Sequence, residues 1–230
     1  MITNAAVGAA LADSSIELDL ELVPEVPCPV PMRPRETARE EFRTLRTRLE
    51  QMQTVRPIHT VLVTSPSLGD GKSFTASNLA LAEAQLEEQP TLLCDFDLRN
   101  PSLHQVFGID RSPGISDYLL GKAGLHQALR RIGNGSLFVM PAGQTVINPL
   151  ELLHLKEVRR MMDQLRNAFR RILLDSPALL AASDANLLAA LADGTLLVSR
   201  IGWTTLDSMD RAIRSLGQQD ILGVVANAAG

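Results

Sequence analysis

The stretch 60–73 leaves this chain few ways to fold. Thr60-Val-Leu-Val-Thr64 has the apolar pattern of a strand and runs straight into Ser65-Pro-Ser-Leu-Gly-Asp-Gly-Lys-Ser73, after which a helical pattern begins. Strand, glycine loop and helix in that order turn backbone N–H groups toward a phosphate and add the positive end of the helix dipole. Gly69, Asp70, Gly71, Lys72, Ser73 and Phe74 are therefore the candidate contacts of a bound nucleotide. Lys72 has the reach for the β- and γ-phosphates of ATP, and the Ser73 hydroxyl suits Mg²⁺. The strict pattern places glycine six positions before the lysine. Pro66 stands there, so the loop is a variant. The plainer reading is a glycine turn followed by a chance Gly-Lys-Ser, and the acids that follow weigh against it.

Two more apolar runs end in acids. Leu92-Leu-Cys-Asp95-Phe-Asp97-Leu-Arg99 puts carboxylates at i and i+2, on the same side of a strand. The carboxyl end of a strand in an open α/β sheet borders the ligand crevice. Paired acids there suit Mg²⁺ and can accept a hydroxyl proton; the plainer alternative is a solvated strand end. Arg171-Ile-Leu-Leu-Asp175-Ser-Pro177 closes on a third carboxylate, where P-loop enzymes place a metal ligand. From His59 on, strand patterns at 60–64, 91–94, 137–140, 171–174, 194–199 and 221–225 alternate with helical ones. The latter lie at 72–87, 116–120, 125–131, 149–169, 185–192 and 205–216. Strands this apolar, separated by helices, predict an α/β fold. It is a mostly parallel sheet with helices on both faces, the three-layer αβα arrangement of a P-loop NTPase.

The charge pattern divides what precedes it. Residues 1–32 hold five acids, no Lys or Arg, and prolines at 24, 27, 29 and 31, which predicts a flexible tail. Ile16, Leu18, Leu20 and Leu22 nevertheless alternate with polar neighbours, the period of a strand that could join a sheet edge. The folded domain is expected to span 33–230. Its opening segment 33–56 holds seven arginines against four glutamates, and Phe42, Leu45, Leu49 and Met52 recur at helical spacing, predicting a helix at 36–53. A net charge of −4 with 3% aromatics argues against nucleic acid as a partner. The apolar runs fall short of the roughly 18 residues a membrane span needs, and no basic-then-apolar leader opens the chain. The expectation is a cytoplasmic protein that meets the inner membrane only through a partner, with Cys28 and Cys94 reduced.

Taken together, the three strand ends resemble those of the bacterial tyrosine kinases of polysaccharide export, the CpsD/CapB-like family. That family has a variant loop of the form Pro-x-Gly-Glu-Gly-Lys-Ser, then Asp-x-Asp-x-Arg, then Asp-x-Pro; here Asp70 replaces the usual Glu. The likeness extends to Glu40-x-x-Arg43-x-x-Arg46, to Pro101-Ser-Leu-His104, Gly114-Ile-Ser-Asp117 and Pro141-Ala-Gly143, to Asn148-Pro-Leu-Glu-Leu-Leu153, and to Ser183-Asp-Ala185. It covers about 36–228. The resemblance implies ATP and Mg²⁺ as cofactors, Lys72 and Ser73 on phosphate and metal, and Asp95 and Asp175 in the metal shell. It also implies Asp97 as the base for an attacking phenol, with Arg99 stabilising charge or holding the acids. Asn227 would lie near the adenine; its plainer reading is a turn residue. The implied partners are a tyrosine-containing substrate, the cytoplasmic segment of a membrane polysaccharide co-polymerase, and further copies of the chain met through Glu40, Arg43 and Arg46.

Two departures qualify this. The family ends in a tyrosine cluster, whereas Tyr118 is the one tyrosine here and reads as a packed helical aromatic; Phe74 replaces a commoner Thr. The expectation is thus a kinase regulating exopolysaccharide or capsule synthesis, acting on another protein. The alternative is a non-kinase ATP-binding switch docked on the co-polymerase. Partition and cell-division ATPases of the same superfamily rank last, because Ser67 stands where their signature lysine would be.

Overall fold

The computed structural model describes residues 18–26, 36–86, 90–154 and 156–228. In chain order the elements begin with β1 (Glu25–Val26), α1 (Glu36–Gln53), β2 (Thr60–Thr64), α2 (Lys72–Glu83) and β3 (Thr91–Asp95). Then come α3 (Leu103–Phe107), α4 (Ile115–Leu119), α5 (Leu125–Ala128), β4 (Arg130–Ile132) and β5 (Leu137–Met140). The remainder are α6 (Pro149–Leu153), α7 (Lys156–Ala168), β6 (Arg171–Asp175), α8 (Asp184–Ala189), β7 (Gly194–Arg200), α9 (Leu206–Leu216) and β8 (Ile221–Asn227). Among the described residues eight strands form one sheet in the order β1-β4-β5-β3-β6-β2-β7-β8, all neighbours parallel except β4 with β5.

Alternation within the strands sends side chains to two cores. Leu62, Leu92, Phe138, Ile172 and Leu197 face α4 to α9, whereas Val61, Val63, Leu93, Leu173 and Val198 face α1, α2 and α3. Burial on both faces is why these strands lack a polar stripe, and it makes the expected three-layer αβα fold. Phe42, Leu45 and Leu49 dock α1 on the second core as its spacing predicts.

Several boundaries differ from the expectation. The helical pattern 149–169 is two helices, α6 and α7, and that at 125–131 stops at Ala128 so that Arg130–Ile132 can pair antiparallel with β5. Residues 18–26 do not continue the tail. Leu20–Leu22 is a 3₁₀ turn rather than a strand, Val23 is buried, and Glu25 and Val26 lie parallel to Arg131 and Ile132. The chain thus covers one sheet edge with its own segment, three residues later than the alternation suggested; Ile16 and Cys28 lie outside the described residues. Nor is the charged stripe on α1 free. Arg43 bonds Glu40 and, at 3.1 Å, Gln85, while Arg46 donates to the Ala82 carbonyl at 2.8 Å, meeting the exposed acceptor end of α2. Tyr118 is buried, its hydroxyl donating to Gln164 Oε1 at 3.2 Å. No helix among the described residues is long and apolar enough to cross a membrane.

The far end of the sheet is pinned by charge. Arg171 opens β6 with no exposure at all; its Nε lies 3.2 Å from Glu83 Oε1 at the end of α2, and its other nitrogens bond Ile58 and Gln53. Arg170 adds pairs to Glu50 and Glu83. Removing one partner of a fully buried pair strands the other, so Glu83→Gln is expected to cost about 3 kcal/mol of stability. Chemical denaturation at 25 °C measures it, and a loss under about 1 kcal/mol would show the guanidinium satisfied by its carbonyl partners alone.

Candidate active site

The phosphate loop leaves β2 at Ser65 and enters α2 at Lys72. Gly69 and Gly71 have φ of 85° and 95°, a backbone that side chains resist, and a Cβ on Gly71 would sit 2.0 Å from Asn227 Nδ2. The loop is stitched to the segment after β6. Leu179 N donates to Ser65 O at 2.8 Å, Leu180 N to Pro66 O at 3.2 Å, and Thr64 Oγ1 to Pro177 O at 2.9 Å. The strand ends expected to meet are therefore held together by two backbone bonds and one threonine hydroxyl, which sequence spacing cannot display.

β2, β6 and β3 are consecutive in the sheet, so Lys72, Asp175 and Asp95 converge, and Asp95 and Asp175 stand directly opposite in register. Lys72 Nζ lies 3.2 Å from Asp97 Oδ2, with Asp97 almost wholly buried. Asp97 Oδ1 accepts from Asn100 N at 3.0 Å, and Asp95 Oδ2 accepts from Ser102 N and Leu103 N at 3.0 Å, fixing the start of α3. Burial pushes the Asp95 carboxyl well above the usual carboxylate range, and the facing Asp175 pushes it further. Asp175 is raised for the same first reason, against the pull of Lys72 and the Ser73 hydroxyl.

Asp95 Oδ1 and both oxygens of Asp175 are buried without a hydrogen-bond donor in good geometry. Unpaired carboxylate oxygens beside a phosphate loop suit a cation that arrives with a nucleotide. Among the described residues no group of three or more His, Cys, Asp or Glu side chains converges as a metal cage. Mg²⁺ is ordinarily held by one or two carboxylates, phosphate oxygens and water, so the residues present fit a nucleotide-borne ion and not a free-standing centre.

Four expected site residues have partners within the chain. Arg99 reaches neither Asp95 nor Asp97; its Nε and Nη2 grip Asp184 Oδ2 and Oδ1 at 2.8 and 3.1 Å, tying the segment after β3 to α8. Asp70 turns its carboxylate inward, fully buried, onto Ser67 N and Thr204 Oγ1, both at 2.8 Å. The Phe74 ring packs edge-on against Phe42 of α1, centroids 5.9 Å apart. Asn227 Nδ2 donates to the Asp70 carbonyl at 3.1 Å, placing it against the loop. Asp184 and Thr204 were missed as site-supporting residues. Asp184 lay within Ser183-Asp-Ala185, and Thr204 carried no signal beyond its place before a helix. Trp203 is 65% exposed, with the Arg200 guanidinium 5.5 Å above its ring.

No protein-family model matches the chain. It is 34% identical over 196 residues to the tyrosine-protein kinase YwqD of Bacillus subtilis, covering 84% of this chain and 82% of that protein. It is 36% identical over 197 residues to the putative tyrosine-protein kinase EpsB of Ralstonia solanacearum, covering 85% of this chain but spanning only 26% of that protein. Among solved structures, the kinase domain of the Escherichia coli tyrosine kinase ETK superposes with a TM-score of 0.81 at 30% identity, over 86% of this chain and 78% of that one. The septum site-determining protein MinD from Pyrococcus horikoshii, solved with Mg-ADP, shares the fold at a TM-score of 0.62 and 23% identity, covering 75% of this chain and 71% of that one.

Proposed function

The chain belongs to the bacterial tyrosine-protein kinases, and from that membership we propose that it moves the γ-phosphoryl group of ATP to a tyrosine hydroxyl of another protein. The observation that carries the reading is the meeting of Lys72, Asp97, Asp95 and Asp175 at the mouth of a phosphate loop. The loop N–H groups and the start of α2 cradle the phosphates. Lys72 exchanges Asp97 for the β- and γ-phosphate oxygens. Ser73 and Asp175, with Asp95 beside them, would hold Mg²⁺. When bound, that ion offsets the charge on the phosphates. Asp97, released by Lys72, takes the phenolic proton as the phenol oxygen bonds to phosphorus and the bond to ADP breaks. Arg99 acts at a distance, by holding α8 through Asp184.

Tyr118 is the one tyrosine in these 230 residues, and it is buried, so the acceptor hydroxyl lies outside them. The substrate class we infer is a tyrosine-bearing protein segment outside these residues. The resemblance points to proteins of exopolysaccharide or capsule assembly and to docking on the cytoplasmic segment of a membrane co-polymerase. Self-association through Glu40, Arg43 and Arg46 belongs to the same reading, with the bonds of Arg43 to Gln85 and of Arg46 to Ala82 rearranged or shared. The test is incubation with γ-labelled ATP, Mg²⁺ and a tyrosine-containing co-polymerase segment. Label retained as phosphotyrosine is expected; ATP bound with no phosphotyrosine on any component would replace the kinase by the binding switch.

A further inference from the structure

Bonds from the ends of two neighbouring strands converge on a single residue of the phosphate loop. Asp70 is wholly buried. One carboxylate oxygen closes the loop on itself through Ser67 N, and the other accepts from Thr204 Oγ1, four residues past the end of β7. Thr204 Oγ1 also accepts from Arg200 N at 2.7 Å. Arg200 N and the hydroxyl cannot both donate to each other, and a carboxylate only accepts, so the single hydroxyl proton points at Asp70. The Asp70 carbonyl takes the Asn227 amide at the end of β8, and Ile201 N donates to Asn227 O at 3.0 Å, locking the two strand ends together. No part of the Asp70 side chain faces outward to meet a phosphate.

We propose that Asp70 is a positioning residue that acts through Thr204. The pair latches the phosphate loop to the turn 200–204 and holds its N–H groups in the arrangement a nucleotide requires. A carboxylate offers acceptors to both Ser67 and Thr204; an amide keeps one acceptor and no charge, so the Thr204 proton loses its carboxylate and the hydroxyl must turn, and a side chain without a hydroxyl at 204 would leave Asp70 half-paired. The proposal rests on the loop taking a nucleotide. It is tested by binding rather than transfer, so that a chain that binds but does not phosphorylate leaves it standing.

The chain supplies its own reporter. Trp203 is its single tryptophan and adjoins Thr204. ADP with Mg²⁺ is titrated by calorimetry into the wild type, Thr204→Val, Thr204→Ser, Asp70→Asn and the Asp70→Asn/Thr204→Val double variant, well below each melting midpoint. Trp203 emission is followed in parallel. Valine at 204 and asparagine at 70 are each expected to weaken ADP binding about tenfold, serine to restore it to within about threefold, and the double variant to lose no more than the worse single one. The ADP-dependent change in Trp203 emission is expected in the wild type and serine variant and not with valine. Wild-type affinity in Thr204→Val, no rescue by serine, or a double variant about a hundredfold weakened by independent losses would overturn the latch. Should valine prevent folding, Thr204→Ala carries the same expectations. A wild type that binds no ADP would instead overturn the nucleotide reading itself.

Discussion

Methionine in place of Lys72 is expected to weaken ATP binding by about a hundredfold and to end phosphoryl transfer. Methionine keeps much of the length and apolar stem of the side chain but removes the cation that pairs with Asp97 at the mouth of the loop. Losing a charge that faces a desolvated opposite charge typically costs about 2–5 kcal/mol, and about 2.7 kcal/mol is a factor of a hundred in affinity. The loop N–H groups that remain position a phosphate without replacing that charge. Calorimetry with ATP and Mg²⁺ measures the effect. An affinity within a factor of about three of wild type would remove Lys72 from the phosphate site.

Asparagine in place of Asp97 is expected to separate binding from chemistry. The amide preserves the size of a side chain that is almost wholly buried and can still accept from Asn100 N. It cannot take a proton from a phenol. Removing a positioned general base typically costs about 10²- to 10⁴-fold in rate, and the loss is expected here in the rate of phosphotyrosine formation. Nucleotide affinity is expected to hold or rise slightly, because Lys72 no longer has to leave an ion pair. Single-turnover transfer at saturating ATP gives the rate, and a rate near wild type would show that the phenol loses its proton without Asp97.

The sheet and its order of chemistry were legible because they are written in local periodicity. Apolar runs ending in Lys-Ser, Asp-x-Asp and Asp-x-Pro mark three strand ends, and a parallel sheet must bring such ends to one side. What joins them was not legible. The grip of Arg99 on Asp184 spans 85 positions and that of Thr204 on Asp70 spans 134. Neither leaves a periodic trace. The role of Arg99 comes from the resemblance to an Asp-x-Asp-x-Arg pattern, yet the chain turns between Asp97 and Arg99, and the long side chain pairs with the buried carboxylate of Asp184. Arg46 shows the same limit. On a helical wheel it joins an outward stripe, but the end of α2 supplies a carbonyl it can reach. The strand β4 escaped because three residues, two of them arginine, carry no alternation strong enough to interrupt a helical pattern.

The facing carboxylates of β3 and β6 also set how the fold responds to acid and alkali. Asp95 and Asp175 ordinarily titrate near 3.8, and in the fold both hold their protons to much higher pH. The folded chain therefore carries protons that the unfolded chain has already lost, so this contribution to stability is full below 3.8, falls as pH rises above it, and is gone once pH passes the raised values of about 7 and about 8. Glu83, raised by burial, adds in the same sense. His59 and His104 act oppositely. Burial lowers both from 6.5, so below that pH the unfolded chain takes up protons that the fold refuses. Three raised acids outnumber the two histidines, so the protein free of nucleotide and divalent cations is expected to melt progressively lower as pH rises from about 5 to about 8 and to level off above that. Thermal melts across that range read the slope, and a midpoint that stays level or rises between about pH 5 and 8 would mean that the two acids face each other fully charged at little cost. Alkaline solution is thus where a site assembled from like charges weighs most heavily on the chain that carries it.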